Sequence, residues 1–126
     1  MVQNHPWRRL KTKGSERKIP LVGASLWAAQ SLQNSDSSFA FPRYVKNGHC
    51  YTNSASAALN KWLRPRVPMN CSMHSFRHSM RDRLRAVGCP SDVIDQIGGW
   101  SCNSVGEKYG DGFSVSHLMR WLKKIV

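Results

Sequence analysis

The stretch "SMHSFRHSMRDRLRAVG", residues 72–88, contains the clearest helical pattern of the chain. Ser72 and Gly88 are suitable residues for capping its two ends. Apolar side chains recur at the spacing of one helix face, at Phe76, Met80, Leu84 and Val87, and this face is expected to lie in the core. A second stripe of the same helix is mostly cationic and consists of His74, Arg77, His78, Arg81 and Arg85. Because like charges in a row repel one another, this stripe favours an anion such as a phosphate beside the helix.

Further helices are predicted on both sides of this stretch, over residues 23–33, 54–64, 92–97 and 116–125. Ser91 is expected to cap the third of them and Gly98 with Gly99 to end it. Two further apolar faces are predicted. They consist of Leu26, Ala29 and Leu32 on one side of the first helix, and of Val115, Leu118, Met119, Leu122 and Ile125 at the last one, which must pack either on its own chain or on another protomer. Val93, Ile94 and Ile97 are expected to face inward as well.

The N-terminal segments "WRRLK" (7–11) and "RKIPLV" (17–22) are typical of strands, and Gly14-Ser15 between them suits a turn. Residues 34–50 are rich in Ser, Asn, Pro and Gly and are predicted to form an exposed loop. The sequence therefore predicts an α+β, mainly α-helical domain, in which a small N-terminal β-hairpin is followed by a helical bundle.

The charge of the chain points to a polyanionic partner. Nineteen Lys and Arg residues stand against seven Asp and Glu, which gives a formal net charge of +12. Such a chain attracts nucleic acid through counterion release. It contains no signal-peptide core and no apolar run long enough to cross a bilayer. We therefore expect a soluble cytoplasmic protein with double-stranded DNA and no membrane as its partner.

The four cysteines have no paired spacing, and without a secretory signal they are expected to be reduced thiols. A zinc site is the alternative, because Cys50, Cys71, His74 and His78 follow one another in an order that zinc ligands can have. A close Cys pair is missing from it, and the two histidines lie one helical turn apart in the cationic stripe. We expect no metal and no cofactor.

His74-x-x-Arg77, Trp100 in "GGWS" and Tyr109 in "EKYGDG" resemble the C-terminal half of the catalytic domain of the tyrosine recombinase (phage integrase) family. The family has a His or Trp about 23 residues after the Arg and a nucleophilic Tyr 9 residues further on, and this chain has Trp100 and Tyr109 at those intervals. "KTKGSERKIPLVG" (11–23) looks like the family's β-hairpin with its catalytic Lys. The resemblance covers nearly all of residues 1–126.

This resemblance implies cleavage and rejoining of DNA strands. Tyr109 would attack the phosphodiester and form a 3′-phosphotyrosine. Arg77 would bind the non-bridging oxygens, since its guanidinium can bind two of them at once. A lysine of the hairpin, Lys13 or else Lys11, would protonate the leaving 5′-oxygen, and we favour Lys13. The remaining roles go to His74, which would donate to a phosphate oxygen or exchange a proton with the tyrosine, to Trp100, which would buttress the site, and to His78, which would support it.

DNA-backbone contacts are expected from five basic residues: Lys11, Lys61, Arg64, Arg81 and Arg85. The partners implied are double-stranded DNA and other recombinase protomers on it, with a monomer in dilute solution. The origin implied is a bacterium, a phage or another mobile element.

The family carries one more Arg, upstream of the Lys hairpin, and no residue of this chain corresponds to it. Losing one preorganised donor of this kind typically costs about 10²–10³ in rate. We therefore expect a partial catalytic domain with impaired DNA integration or recombination. Two alternatives are a basic module that binds DNA or another protomer and leaves the inherited site unused, and a piece of a type IB topoisomerase.

Overall fold

Five α-helices and one two-stranded antiparallel sheet form the regular structure of the computed structural model, which describes residues 1–6, 9–10, 15–33, 37–100 and 112–126. The elements are α1 (Gly23–Ser31), β1 (Val45–Lys46), β2 (His49–Cys50), α2 (Thr52–Leu63), α3 (Ser75–Ala86), α4 (Ser91–Gly98) and α5 (Val115–Leu122). Short 3₁₀ turns lie at Pro42–Tyr44, Arg64–Arg66 and Lys123–Ile125. The mainly helical α+β class predicted from the sequence is confirmed.

The core lies between the last three helices. Its buried side chains are Leu84 of α3, Cys89 of the turn after α3, Val93, Ile94 and Ile97 of α4, and Leu118, Leu122 and Ile125 from the C-terminal end. Leu84, Val93 and Leu118 are completely inaccessible to solvent. The inward face predicted for α4 is therefore confirmed. The apolar face of α5 is buried within the same chain at Leu118 and Leu122, whereas Val115 remains 40% exposed.

A Schellman motif ends α3 and connects it to the core. The N–H of Cys89 donates to the carbonyl of Leu84 and the N–H of Gly88 donates to that of Arg85. Gly88 has a φ of +74°, which suits the left-handed position that this motif requires. The sequence prediction of a glycine end for this helix is confirmed. Leu84 and Cys89, which the first of these two hydrogen bonds joins, are both buried.

The start of α3 differs from the prediction. The helix begins at Ser75, and the Ser72 hydroxyl accepts the N–H of His74 in the turn that precedes it. Phe76 was expected in the core but is 57% exposed, because it faces the cleft between α2 and α3 rather than α4. Ser91 is the first residue of α4 and makes no capping hydrogen bond, since Pro90 occupies the N-cap position.

Much of the predicted N-terminal hairpin, residues 7–8 and 11–14, lies outside the described residues. An isolated antiparallel bridge joins Val2 and Arg17, and residues 18–22 are not in a strand, so the strand expected over 17–22 is not formed. The sheet of the described residues lies inside the predicted loop, where Val45 pairs with Cys50 and Lys46 pairs with His49. Asn47 and Gly48 form its turn, both with positive φ. An Asn-Gly pair is the usual sequence for this tight turn, and it outweighs the polar composition around it.

The helix α1 forms where it was expected, but its apolar side is not buried. None of its residues is buried, and Leu26 and Trp27 are exposed. The helix starts at Gly23, whose φ is +52°, and a Cβ added there would lie 3.1 Å from the side chain of Val126. Helical periodicity thus predicted the element correctly, and its apolar side is half-buried at Ala29 and Leu32 and exposed at Leu26.

Candidate functional site

Two arginines of the cationic stripe stack on the indole ring of Trp100. The guanidinium carbon of Arg77 lies 4.2 Å from the ring centroid and that of Arg81 lies 4.8 Å from it. The two arginines are four residues apart on α3 and therefore lie on the same side of the helix. A guanidinium over an indole face is held by the ring quadrupole while its edge N–H groups stay available as donors. The structure thus brings together Arg77 and Trp100, two of the predicted catalytic residues, and adds Arg81.

Gly98 and Gly99 make this arrangement possible, each for a different reason. Gly99 ends α4 in the left-handed conformation, with a φ of +64°, and so turns the chain toward Trp100. Trp100 then folds back onto α4, and a Cβ at Gly98 would collide with its ring. The sequence predicted a helix end at these glycines. It gave no sign that the indole needs the space over Gly98.

Arg81 is neutralised in part by a carboxylate that sequence reasoning did not place near it. Its Nη2 lies 3.5 Å from Oδ1 of Asp95 on α4. The spacing along the sequence could not have revealed this pair, because the two residues belong to different helices. Arg77 makes no ion pair with any carboxylate in the part of the chain that the structure describes. Of the two stacked guanidiniums, Arg77 is therefore the one whose charge is available to an external anion.

Arg17, which was not among the predicted site residues, lies at the same corner. Its Nε donates to the carbonyl of Ile97 at 3.2 Å, and its Nη1 donates to the carbonyl of Ser15 at 2.8 Å. Burial, and after it the positive charge of Arg77, lower the pKa of Arg17. The bond to Ile97 attaches the N-terminal segment to the C-terminal end of α4, where a cation is favourable. No periodicity marks Arg17, so the signal was available only from the structure.

His74 and His78 lie together at the start of α3. Their rings meet edge to face with centroids 5.1 Å apart, and both side chains are exposed. The turn that carries His74 is fixed from α2, since the N–H of Met73 donates to the side-chain oxygen of Asn60 at 2.9 Å. The structure therefore places both histidines on the surface, and His74 lies one helical turn before Arg77.

The predicted DNA-contacting residues of the described part lie on the surface of α2, the turn after it, and α3. Lys61, Arg64 and Arg85 are exposed, and Arg85 lies 3.7 Å from Asp82. The sequence has no Asp or Glu from residue 37 to residue 81. Seven Lys and Arg residues fall in this acid-free run: Arg43, Lys46, Lys61, Arg64, Arg66, Arg77 and Arg81. A surface of this composition attracts a polyanion along its length.

Three predicted site residues, Tyr109, Lys13 and Lys11, lie outside the described residues. The chain enters the described part again at Gly112, beside α4. The Gln96 side chain both accepts the N–H of Phe113 and donates to its carbonyl, at 2.8 and 2.9 Å. Four residues beyond Tyr109, the backbone is thus attached to the helix that leads to Trp100.

No three His, Cys, Asp or Glu side chains among the described residues gather closely enough to hold a metal ion. Cys50, Cys71, His74 and His78, the ligands of the alternative zinc site, therefore do not assemble into one. Cys50 and Cys71 are exposed free thiols, and Cys89 is a buried one. Among the helices of the described ranges, none has the length and apolar character that a membrane crossing needs.

Comparison with known proteins gives no further guide to this site. The chain matches no protein-family model, no curated protein and no solved structure.

Proposed function

We propose that this chain binds the sugar-phosphate backbone of double-stranded DNA, with a phosphate held at Arg77. The observation that carries the proposal is the stack of Arg77 on Trp100, which fixes a guanidinium that has no carboxylate partner among the described residues. A preorganised guanidinium offers a planar fork of donors to two phosphate oxygens. The acid-free run provides further cations for adjacent phosphates.

The recombinase resemblance extends this proposal to chemistry. The phenolic oxygen of Tyr109 would attack phosphorus, its proton passing to His74, and the bond to the 5′-oxygen would break. A 3′-phosphotyrosine and a free 5′-hydroxyl would result, the hydroxyl taking its proton from Lys13. Arg77 would stabilise the charge that develops on the non-bridging oxygens during the attack. A phenol with a reference pKa of about 10 needs a cationic neighbourhood to react at neutral pH, and under this proposal the arginine cluster would supply it.

A basic DNA-binding module without strand cleavage is the second candidate. The position of His74 favours it, because the exposed ring contacts His78 rather than Arg77 or Trp100 in the described structure. Under this proposal the chain binds DNA through the same surface, and Tyr109 forms no bond to it.

Binding is tested by titrating labelled duplex at two salt concentrations. We expect weak, largely sequence-independent affinity that falls as salt rises, since phosphate contacts release counterions. Arg77→Gln should weaken binding more than Arg43→Gln, which removes one charge from an exposed position. An affinity that is insensitive to salt would contradict the proposal.

Cleavage is tested by incubating the chain with supercoiled plasmid and stopping the reaction with detergent. A nucleotide adduct located on Tyr109 by mass spectrometry, and absent in Tyr109→Phe, supports the recombinase proposal. Duplex binding without any adduct supports the second candidate. Tyr109→Phe should leave duplex affinity unchanged under both.

A further inference from the structure

The place of Arg17 at the end of α4 is fixed by three contacts. Two are its hydrogen bonds to the carbonyls of Ile97 and Ser15. The third is with Gly99, over which the guanidinium lies so closely that a Cβ there would be 2.5 Å from Nη1. A flexible side chain held at three points has lost most of its conformational freedom in advance.

These contacts explain where Arg17 lies but not why a second cation is tolerated beside it. Arg17 is only partly exposed and its guanidinium lies over Gly99, while Arg77 stacks on Trp100, the next residue of the chain. The charge of Arg77, after burial, lowers the pKa of Arg17. Neither arginine forms an ion pair with a carboxylate of the described residues, because Asp95 pairs with Arg81 and Asp82 pairs with Arg85. Two neighbouring guanidiniums without a counterion repel each other, and an anion shared between them turns that repulsion into attraction.

We propose that Arg17 is a phosphate-binding residue that shares one DNA phosphate with Arg77. The inference rests on the proposed function and adds a ligand to its site. Arg17 keeps the N–H groups of Nη2 and one N–H of Nη1 beyond its two carbonyl bonds, so it can donate to a phosphate oxygen without leaving its place. The phosphate is then held from α3 by Arg77 and from the N-terminal segment by Arg17.

The first test removes the Arg17 charge and measures duplex affinity against salt. Arg17→Gln should lower the affinity and reduce the salt slope by about 1, as expected for one lost phosphate contact. Lys18→Gln is the matched control, since it removes the same charge from the exposed neighbouring position and should change the slope clearly less. Arg17→Lys should retain part of the affinity, because it keeps a cation but loses the fork.

The second test moves Arg17 without changing any charge. Gly99→Ala adds a Cβ into the space that Nη1 occupies, so the guanidinium must shift and duplex affinity should fall. Gly48→Ala is the control, because Gly48 also has a positive φ of +74° but nothing within 4 Å of the added Cβ. It should leave duplex affinity unchanged. Thermal melting of each variant shows that the comparison is made on folded protein.

The outcomes separate this inference from the proposed function. Weaker binding in both Arg17→Gln and Gly99→Ala, with a clearly smaller effect of Lys18→Gln and none of Gly48→Ala, supports the shared phosphate. Normal affinity in folded Arg17→Gln, with weak binding in Arg77→Gln, overturns the role of Arg17 and leaves the proposed function intact. Normal affinity in Arg77→Gln as well would contradict the proposed function itself.

Discussion

The guanidinium of Arg81 on α3 and the carboxylate of Asp95 on α4 lie 3.5 Å apart and link the two helices. The side chains are 35% and 19% exposed, so the pair is far less solvated than Asp82 and Arg85, which are 72% and 59% exposed. Its contribution to stability should therefore exceed that of an ordinary surface pair.

Asp95→Asn should lower the free energy of unfolding by about 1–2 kcal/mol, between the values typical of surface and buried pairs. Asp82→Asn should change it by less than about 0.5 kcal/mol, since exposed helix pairs contribute little. Urea denaturation of both variants measures the difference. Equal stability of the two variants would show that the pair of Arg81 and Asp95 does not stabilise the fold.

Asp95→Asn also frees the charge of Arg81 beside Trp100, so it should raise duplex affinity.

Gly98→Ala should destabilise the protein although alanine ordinarily favours a helix over glycine by roughly 0.5–1 kcal/mol. The added Cβ collides with the indole of Trp100, and such overpacking costs about 1–3 kcal/mol. The cause is tested by combining the change with Trp100→Ala. In that background Gly98→Ala should be neutral or stabilising, and an unchanged penalty would place its origin elsewhere.

Leu118→Ala should lower the free energy of unfolding by about 2–5 kcal/mol, because the side chain is fully buried against α3 and α4. Val115→Ala, at an exposed position of the same helix, should cost no more than about 0.5 kcal/mol. Chemical denaturation gives both values.

Sedimentation of the unaltered chain should show a monomer, because α5 packs on its own chain. A stability that depends on dilution would instead indicate that α5 packs on a second copy.

Cys89 should react with a thiol reagent much more slowly than Cys50 and Cys71. Burial, and after it the negative charge of Asp92, raise the pKa of the Cys89 thiol, so both access and thiolate fraction are low. The two other thiols are exposed. Peptide mapping after brief alkylation measures the rates, and in denaturant the three should become similar.

The same raised pKa predicts a loss of stability at alkaline pH. At a pH below 9.0, the ordinary pKa of a thiol, Cys89 is protonated in the folded and the unfolded chain. Its titration then takes nothing from the free energy of unfolding. As the pH rises above that value, the unfolded chain loses the proton first, so stability falls until the folded thiol titrates too. Denaturation of the native protein and Cys89→Ala at pH 8 and pH 10 should show a smaller pH effect in the variant.

Helical periodicity carried most of what could be predicted about the fold. The apolar positions of α3, α4 and α5 recur at 3.6-residue spacing, and Leu84, Ile94, Ile97 and Leu118 are indeed buried. Periodicity does not say which apolar residue finds a partner, so Phe76 was wrongly placed in the core. The hairpin at Val45–Cys50 had a readable signal in Asn47-Gly48, which the polar composition of the segment concealed.

The sequence could predict only those parts of the candidate site that a local pattern marks. Arg77 and Arg81 share a face of α3 at helical spacing, and Trp100 has the interval from Arg77 that the family motif requires. Asp95 and Arg17 reach the same corner from other segments, and their contribution depends on tertiary packing that no local pattern encodes. The close contact of Trp100 with Gly98 is likewise a property of the turn at Gly99 and not of the sequence pattern around it.

The Schellman motif of α3 also determines the rotational phase of the helix. With the Leu84 side chain buried and its carbonyl bound to Cys89, the helix cannot turn about its axis, so the direction in which its arginines project is set from the C-terminal end. One extra residue between Arg81 and Leu84 would leave Leu84 and the motif in place. It would rotate the part of α3 before it by about 100°. Arg77 and Arg81 would then leave Trp100 together, and Met80 would lose its packing against the core in the same movement.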